Sequence, residues 1–358
     1  MSDKNKTIGI LTSGGDCPGL NAAIRGVAKP VVEKYGMKAI GFSDGYRGLM
    51  DGNARELSAD DLSGILTLGG TILGTSRESF KQIQKSPEKI EMMIENYRKF
   101  ELDCLVVLGG NGTHKTANLL SEKGLNVIGL PKTIDNDLYG TDFTFGFHSA
   151  VDIATEIIDR IHSTAQSHGR VMIIEFMGHD AGWLTLYAGI AGGADVILIP
   201  EFPYSIDRII EKLHERQTEG KKFSIIAVAE GALTLDESKM KSKDYKTYYA
   251  SLPYPSMGYK VAAEIAAKTT LELRVTVPGY QQRGGTPSPY DRVLATKLGT
   301  YAAQMILDAN YGKMVAIKDN KITAIPLKTV AGKLKLVPRN HSLIKAGRML
   351  NTSFGQPR

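Results

Sequence analysis

The chain has 358 residues, of which 42% are hydrophobic and 23% are charged, and its formal net charge is +6. This length exceeds one typical hydrophobic core, so two domains are expected, and the composition excludes a largely disordered chain. The excess of lysine and arginine is spread along the sequence, which fits a solvated surface or a protein that attracts small anions, and we expect no nucleic-acid partner.

Cysteine usage and the amino-terminal residues indicate the compartment. Cys17 and Cys104 are the two cysteines, which is neither the density nor the spacing of a disulfide framework or a zinc site, so a reducing cytoplasm is predicted. The first apolar run is shorter than the hydrophobic region of a signal peptide. No stretch approaches the roughly 20 apolar residues that span a bilayer. We therefore predict a cytoplasmic protein without a membrane partner.

Short apolar runs recur along the chain and predict strands at residues 8–11, 104–108, 127–130, 171–176, 196–199 and 225–228. These runs are nearly continuous rather than alternating, which is typical of strands covered on both faces. Between them, residues 149–161 place Val151, Ala154, Ile158 and Ile161 at helical spacing. This alternation of strands and helices predicts an α/β fold with mostly parallel, doubly wound sheets.

Two later segments carry no strong motif. Residues 236–254, rich in tyrosine and lysine, are predicted to form an exposed excursion near a crossing between domains. Residues 313–358 combine lysine and arginine with short apolar patches, which indicates an ordered cover or a subunit contact.

Two glycine-rich turns follow predicted strands, where ligands bind in open α/β sheets. Residues 13–19 read SGGDCPG and precede a helix that opens at Asn21, and residues 109–113 read GGNGT. Glycine lets backbone amides approach a phosphate, and a helix start adds partial positive charge. Neither turn has the spacing of a dinucleotide-binding motif or of a P-loop. A purely structural role remains open for the first turn, whereas the second suggests a phosphate donor without naming the acceptor.

A third turn, residues 131–137, reads PKTIDND and also follows a strand directly. Two carboxylates, Asp135 and Asp137, are costly to hold together unless a metal ion or a reacting hydroxyl uses them. One can accept a proton while the other orients magnesium on a phosphate donor. The alternative is an Asx turn that caps the next helix.

Several strings together resemble the phosphofructokinase family in their order and spacing. They are TSGGDCPGLNAAIRG, GGTILGTSR, GGNGT, GLPKTIDNDLYGTDFTFGF, SHGR, MGHDAGWLTL, AGGAD and PGYQQRGGTPSPYDR, and they cover roughly residues 7–305. The resemblance implies two Rossmann-like α/β domains. Residues 1–145 plus about 256–310 would bind the phosphate donor, and residues 146–255 plus about 311–358 would bind the sugar phosphate.

The resemblance also implies a phosphoryl transfer from ATP to the 1-hydroxyl of fructose 6-phosphate. Asp135 would be the general base, with Thr133, Lys132, Arg77 and Arg170 completing the catalytic group. The implied donor-binding residues are Gly15, Arg77, Glu78, Gly110, Asn111, Gly112 and Thr113, and the implied magnesium ligands are Asn111 and Asp137.

The acceptor residues follow from the same resemblance. They are Thr133, Ile134, Asp135, Arg170, Met177, Gly178, His179, Glu230, Arg274, Tyr280, Gln281, Gln282 and Arg283. A phosphate dianion is best held by forked guanidinium groups, which Arg170, Arg274 and Arg283 supply. In the family, Arg170 and Arg274 reach across from a neighbouring subunit, so a homodimer or homotetramer is expected.

The sequence departs from the family pattern in the sugar and donor sites. His179 stands where bacterial relatives carry arginine, and an unperturbed imidazole is mostly uncharged at neutral pH. Asn111 replaces the aspartate of the usual GGDG loop and cannot balance a metal's charge. Tyr280 replaces a histidine. His162 stands where the family's effector site has an arginine.

Two positions bear on the phosphate donor. In pyrophosphate-using relatives an aspartate fills the place of Gly112, where it would repel the α-phosphate of ATP, and a lysine fills the place of Lys132. This chain combines the ATP-type glycine with the pyrophosphate-type lysine. We predict ATP, because the space is open and a lysine can serve the outer phosphates of either donor, and pyrophosphate stays the alternative.

Two other classes of protein are compatible with the predicted fold. An NAD-dependent dehydrogenase is disfavoured because no G-x-G-x-x-G with a following acidic residue is present. A non-catalytic sugar-phosphate sensor could use the same arginines without requiring Asp135, so this alternative needs an activity measurement.

Overall fold

The structure, a computed structural model, describes residues 6–356. These residues form two compact units between which the chain passes several times. The first unit contains residues 6–134, 138–149 and 283–335, and the second contains residues 135–137, 150–282 and 336–356. Each unit has its own sheet and its own hydrophobic core.

The strands are numbered in chain order. They are β1 (Thr7–Thr12), β2 (Lys38–Phe42), β3 (Ala54–Glu56), β4 (Cys104–Gly109), β5 (Val127–Pro131), β6 (Val171–Phe176), β7 (Val196–Leu198), β8 (Ser224–Ala229), β9 (Leu273–Thr276), β10 (Lys313–Lys318) and β11 (Lys321–Pro326). All six predicted strands are confirmed.

The helices are numbered in the same way. They are α1 (Leu20–Lys29), α2 (Tyr46–Asp51), α3 (Phe80–Gln84), α4 (Pro87–Lys99), α5 (Asn111–Glu122), α6 (Phe147–His168), α7 (Trp183–Ala191), α8 (Ile206–Thr218), α9 (Ser242–Ser251), α10 (Met257–Ala266), α11 (Pro289–Leu307), α12 (Leu327–Val330) and α13 (Ser342–Met349). The helix predicted over residues 149–161 is confirmed as part of α6. Within residues 6–356, no helix combines the length and the apolar character that a bilayer crossing requires.

The sheet of the first unit has the strand order β11-β10-β5-β4-β1-β2-β3. Its central strands β10, β5, β4, β1 and β2 run parallel, and the edge strands β3 and β11 are antiparallel. Every residue of β4 and β5 is buried, because helices cover both faces of the sheet. From β1 the chain proceeds to β2 on one side and later to β4 on the other. The order therefore reverses between β1 and β4, where open α/β sheets bind ligands.

The sheet of the second unit is entirely parallel, with the order β7-β8-β6-β9. Strands β6 and β8 are fully buried and adjacent, so their carboxyl ends lie side by side. The edge strand β9 alternates between half-buried and exposed residues. The predicted α/β fold class with mostly parallel sheets is confirmed in both units.

The start of α6, the helix that follows the third turn, is fixed by a buried carboxylate. Asp291 is fully buried and accepts hydrogen bonds from the backbone amide and the hydroxyl of Ser149, both at 2.7 Å. Asp291 itself lies in the first turn of α11, which begins at a proline after the capping residue Ser288. These bonds position the chain just beyond the turn that carries Asp135.

The compact units divide the chain differently from the predicted domains. Residues 256–282 belong to the second unit, because β9 pairs with β6, whereas residues 311–335 belong to the first unit, because β10 pairs with β5. The chain does not cross between units near residues 236–254, which lie wholly in the second unit. Local sequence composition does not report such long-range strand pairing.

Candidate active site

The two glycine-rich turns of the first unit meet where the strand order reverses. The backbone amide of Ser13, after β1, donates to the carbonyl of Leu108 in β4 at 3.0 Å. A second hydrogen bond joins the two turns, because the hydroxyl of Thr113 donates to the carbonyl of Ser13 at 3.4 Å. The buried phenol of Tyr46 donates to the carbonyl of Thr113 at 2.9 Å and fixes the start of α5. The two glycine-rich turns are therefore in contact with each other.

Three cationic side chains converge on Gly15. The ammonium group of Lys132 donates to the carbonyl of Gly15, and Nη1 of Arg283 donates to the carbonyl of Asp16 at 3.1 Å. A Cβ atom on Gly15 would lie 2.9 Å from Cζ of Arg283 and 3.3 Å from Nη2 of Arg77, so a side chain there would displace these guanidinium groups. Guanidinium and ammonium groups gathered beside a glycine-rich turn form a site that suits the oxygens of a phosphoryl group.

Glu78, predicted to bind the donor, is held by neighbouring cations. Its Oε1 accepts hydrogen bonds from Nε and Nη2 of Arg47, both at 3.1 Å, and its Oε2 lies 3.8 Å from the ammonium group of Lys89. In this conformation the carboxylate contacts side chains of its own unit, and its two oxygens keep lone pairs for a further hydrogen bond.

The side chain of Asn111 holds a neighbouring turn. Its Nδ2 donates to the carbonyl of Lys333 at 3.0 Å, and its Oδ1 accepts the amide of Gly332 at 3.0 Å. An amide oxygen has two lone pairs, so a single one remains for the predicted magnesium contact. Gly112 is exposed, and a Cβ atom added there meets nothing within 4 Å. The open space that the ATP prediction requires is present.

Sequence reasoning missed His114, which follows the second turn directly. It is fully buried, and its Nδ1 lies 2.9 Å from the carbonyl of Gly110, so Nδ1 carries the proton that it donates. Burial lowers the pKa of His114 to about 4, with a smaller contribution from the charge of Lys132 and an opposing one from the hydrogen bond to Gly110. The sequence alone does not indicate that a histidine directly after a GGNGT turn is buried and bonded to that turn.

We expect the stability of the protein to fall between pH 6.5 and pH 4, partly because of His114. The unfolded chain binds a proton near the ordinary pKa of 6.5, whereas the folded site stays neutral until about pH 4. Acid therefore favours the unfolded state, by up to about 3 kcal/mol from this residue. Urea unfolding at a series of pH values measures the slope.

Two variants isolate the contribution of His114 to that slope. His114→Gln should flatten the loss of stability between pH 6.5 and pH 4, whatever its effect at neutral pH. His214→Gln, at an exposed histidine, should leave the slope unchanged. Equal slopes for the unmutated protein and His114→Gln would contradict the assignment.

The third turn carries the chain from the first unit into the second. Thr133 and Ile134 are buried in the first unit, and the hydroxyl of Thr144 donates to the carbonyl of Thr133 at 2.7 Å. Asp135 begins the short stretch of the second unit that ends at Asp137. Between the two carboxylates, Asn136 has φ 50°, a left-handed conformation that asparagine tolerates. The backbone therefore makes a left-handed bend between Asp135 and Asp137.

In the second unit, Glu230 organises the loop after β6. Its Oε1 accepts the amides of Gly178 at 3.1 Å and of His179 at 2.7 Å. Gly178 has φ 150°, and a Cβ atom there would lie 2.5 Å from the carbonyl oxygen of Ala181. His179 is left-handed at φ 51°, a strained conformation that concentrates at functional sites. Glu230, Gly178 and His179 are thus brought together as predicted.

The QQR segment divides into residues with different environments. Gln282 is fully buried; its Oε1 accepts the amide of Met177 at 3.1 Å, and its Nε2 donates to the carbonyl of Gly279 at 3.1 Å. Its side chain therefore positions residues 177–179 after β6, which are predicted to line the sugar site and are called the sugar loop. The side chain of Gln282 is itself out of reach of a ligand. Tyr280 is 80% exposed and Gln281 is exposed, so both are accessible in the single chain.

The pKa of His179 is raised above that of the unperturbed imidazole expected from the sequence. Its Nδ1 lies 3.1 Å from the carboxylate of Asp180. That hydrogen bond raises the pKa of His179; burial opposes the shift, and the charges of Asp180, Asp135 and Glu230 support it. The imidazole of His179 therefore keeps its proton to a higher pH than an unperturbed imidazole does. Asp135 and His179 belong to the same compact unit.

A cavity of about 660 Å³ surrounds Glu230 and His179, a volume suited to a small-molecule ligand. Its other lining residues include Glu175, Asp180, Glu201, Glu237, Tyr245, Lys246, Tyr249 and Ser256. Burial raises the pKa of both Glu175 and Glu201. Sequence reasoning assigned none of these other lining residues to the site, and apart from Asp180, in the MGHDAGWLTL string, none belongs to a recognised string.

Arg170 and Arg274 lie together, but at the other end of β6 from Glu230. Nε of Arg170 and Nη2 of Arg274 contact the same oxygen of Glu272, at 2.8 and 2.5 Å. Arg274 pairs with Met172 in the sheet. Met177 is seven residues beyond Arg170, which at about 3.3 Å per residue places it roughly 20 Å away. The two arginines therefore do not join the cavity of their own chain.

The comparisons with known proteins agree with this architecture. A phosphofructokinase family model matches residues 7–306. The chain is 61% identical to "ATP-dependent 6-phosphofructokinase" of Spirochaeta thermophila, over 98% of each chain. It is also 44% identical to "Pyrophosphate--fructose 6-phosphate 1-phosphotransferase" of Amycolatopsis methanolica, over 92% of this chain and 96% of the relative.

A solved structure titled "Structure of phosphofructokinase from Saccharomyces cerevisiae" superimposes with a TM-score of 0.78 at 32% identity. The match covers 91% of this chain and 45% of the yeast chain. Fold, motifs and identity thus agree over nearly the whole sequence, and the chain belongs to the phosphofructokinase family.

Proposed function

We propose that this chain transfers the γ-phosphoryl group of ATP to the 1-hydroxyl of fructose 6-phosphate, giving fructose 1,6-bisphosphate. The observation that carries the proposal is that Asp135 belongs to the same compact unit as the cavity around His179 and Glu230, and its charge contributes to the raised pKa of His179. A carboxylate near a cavity of this size can accept a proton from a sugar hydroxyl. The relative with 61% identity carries the name of this activity.

The residues of each unit have distinct roles in the proposed reaction. Asp135 takes the proton of the 1-hydroxyl as that oxygen attacks the γ-phosphorus, and the bond from phosphorus to the bridging oxygen of ADP breaks. Phosphoryl transfer needs charge neutralisation more than covalent catalysis. Lys132, Arg77 and Thr133 supply donors to the phosphoryl oxygens. Glu230 accepts hydrogen bonds from the sugar.

Magnesium neutralises charge on the donor phosphates when it is bound. Among the described residues no group of three or more histidine, cysteine, aspartate or glutamate side chains could hold a metal ion. That fits magnesium in a kinase, which is bound through one or two carboxylates together with substrate phosphates. We assign Asp137 as the carboxylate, with the remaining lone pair of Asn111 as a second contact.

Pyrophosphate is the second candidate donor, and one observation favours it. Lys132 is the residue type of pyrophosphate-using relatives, and a relative with 44% identity carries a pyrophosphate-dependent name. The open space at Gly112 supports ATP, because an α-phosphate needs that room. We weigh the open space more heavily, since the ammonium group of Lys132 suits either donor.

We also propose a cytoplasmic homodimer or homotetramer in which Arg170 and Arg274 serve the acceptor site of a neighbouring copy. Their distance of roughly 20 Å from the sugar loop of their own chain supports this arrangement. Both side chains are partly exposed, and Glu272 holds their guanidinium groups side by side. Paired guanidinium groups suit a sugar phosphate dianion.

A coupled assay that follows fructose 1,6-bisphosphate tests the proposal. With magnesium and fructose 6-phosphate, kcat/KM should be at least about tenfold higher with ATP than with pyrophosphate, a difference of about 1.4 kcal/mol. Faster turnover with pyrophosphate than with ATP would mean that pyrophosphate is the donor. No turnover with either donor would instead support the sugar-phosphate sensor.

A further inference from the structure

The segment of residues 236–254 was predicted to be an exposed excursion, but it forms a wall of the acceptor cavity. Its helix α9 has no fully buried residue. Even so, Tyr245, Lys246 and Tyr249 of this helix line the same cavity as His179 and Glu230. The two tyrosine rings lie 5.8 Å apart between centroids. The segment therefore has one face in solvent and one face toward the acceptor.

A buried ion pair anchors the start of this wall. Glu237 is 4% exposed, and its carboxylate lies 2.8 Å from the ammonium group of Lys260, which is itself fully buried. Lys260 also donates to the phenol of Tyr204 at 3.2 Å, and Glu237 accepts the amide of Thr234 at 2.9 Å. Breaking one partner of such a pair leaves an uncompensated buried charge, so the anchor is firm.

A second buried carboxylate anchors the end of the wall. Oε2 of Glu175, on β6, accepts the amide of Gly258 at 2.6 Å. Ser256, which precedes α10, lowers the pKa of Glu175, against the larger effect of burial. Both ends of the segment are thus fixed to the body of the second unit, and α9 is held at the cavity between them.

The lining of the cavity is strongly acidic. Its carboxylates are Glu175, Asp180, Glu201, Glu230 and Glu237. Lys260 is engaged with Glu237, and His179 is engaged with Asp180. A sugar phosphate that enters this cavity brings further negative charge, which the carboxylates repel. A cation of the lining would offset part of that repulsion, in addition to the arginines proposed to hold the phosphate.

Lys246 is the one lysine or arginine among the described residues that line the cavity. Within residues 6–356 it makes no ion pair of 4 Å or less. Its charge reaches the cavity wall, because it contributes to lowering the pKa of Asp180, after the larger effect of His179. Its ammonium group is therefore available to a ligand.

We propose that Lys246 binds the phosphate group of the acceptor sugar, and that α9 makes the site select phosphorylated sugars over neutral ones. This inference rests on the proposed function, since it takes fructose 6-phosphate as the acceptor. Lys246 adds one cation, from within the same chain, to the arginines that a neighbouring copy supplies. The tyrosines of α9 complete the wall without adding negative charge.

Calorimetric binding of fructose 6-phosphate, without any donor, tests Lys246 directly. Lys246→Met should weaken binding about tenfold, the effect of losing one charge-assisted hydrogen bond that is partly screened by water. Lys246→Arg, which keeps the charge, should retain most of the affinity. Lys243→Met is the matched control, because this exposed lysine of the same helix does not line the cavity and its loss should change nothing.

Steady-state kinetics on the same variants separate binding from general damage. Lys246→Met should raise KM for fructose 6-phosphate and leave kcat and KM for ATP within about twofold. If the Lys246→Met enzyme is active and its affinity for fructose 6-phosphate is unchanged, the inference about Lys246 is overturned and the proposed function is kept. An unmutated protein that binds fructose 6-phosphate, depends on Lys246 for it and shows no turnover would overturn the proposed function and keep the inference. No binding by the unmutated protein would overturn both.

Discussion

Replacing Asp135 with asparagine should lower kcat by about 10²- to 10⁴-fold, the range that a positioned general base contributes. Asparagine has nearly the shape of aspartate but cannot accept the proton of the 1-hydroxyl. Its amide still fits the left-handed turn made by Asn136, so the fold should persist. The coupled assay measures kcat, and calorimetry measures the affinity for fructose 6-phosphate, which should stay within about threefold because the base acts in the transition state.

A matched carboxylate controls for the change of charge. Asp159→Asn removes a negative charge from an exposed position on α6 and should leave kcat unchanged. If Asp135→Asn keeps kcat within about twofold of the unmutated enzyme, Asp135 is not the base. If it loses sugar binding and turnover together, the carboxylate binds the acceptor rather than activating it.

The fold was largely predictable because its strands carry their own signal. Parallel strands buried on both faces, such as β4 and β6, require continuous apolar runs, and those runs are visible in the sequence. Five of the described strands were missed. The edge strands β3, β9 and β11 are mixed in polarity because they are only half-buried, and β2 and β10 were not predicted either, although most of their residues are buried. The division into compact units differs from the predicted domains for a related reason. It depends on pairings such as that of β10 with β5, which join distant segments.

The candidate site was predictable where it depends on backbone shape. Glycine-rich turns such as residues 13–19 and the PKTIDND string occupy positions at which few residue types satisfy the required conformation. The acidic cavity wall was not predictable. In the sequence, Glu237 is an ordinary charged residue of a polar segment. Its burial depends on Lys260, which lies 23 residues away in the chain. Likewise, the raised pKa of His179 follows from the position of Asp180 and not from the residue type.

Gly112→Asp should lower kcat/KM for ATP by about 10²- to 10³-fold. Gly112 lies in the first turn of α5, and its backbone is not left-handed, so a side chain fits without strain. An aspartate there also interacts favourably with the helix dipole, so the variant should fold. Its carboxylate would share the open space with the α-phosphate of ATP. Two unit charges about 4 Å apart near a protein surface repel by about 4 kcal/mol.

Two other substitutions of Gly112 distinguish the effect of the added charge from that of the added volume. A comparison of ATP with pyrophosphate distinguishes both effects from misfolding. Gly112→Ala fills little of the open space and should keep ATP use within about threefold, since a Cβ atom there meets no neighbour within 4 Å. Gly112→Asn matches aspartate in size without its charge, so any difference between the two is electrostatic. Pyrophosphate has no α-phosphate at this place, so whatever pyrophosphate-dependent turnover the enzyme has should survive Gly112→Asp. Undiminished ATP turnover by Gly112→Asp would mean that the α-phosphate lies elsewhere, and the assignment of ATP would then lose its structural basis.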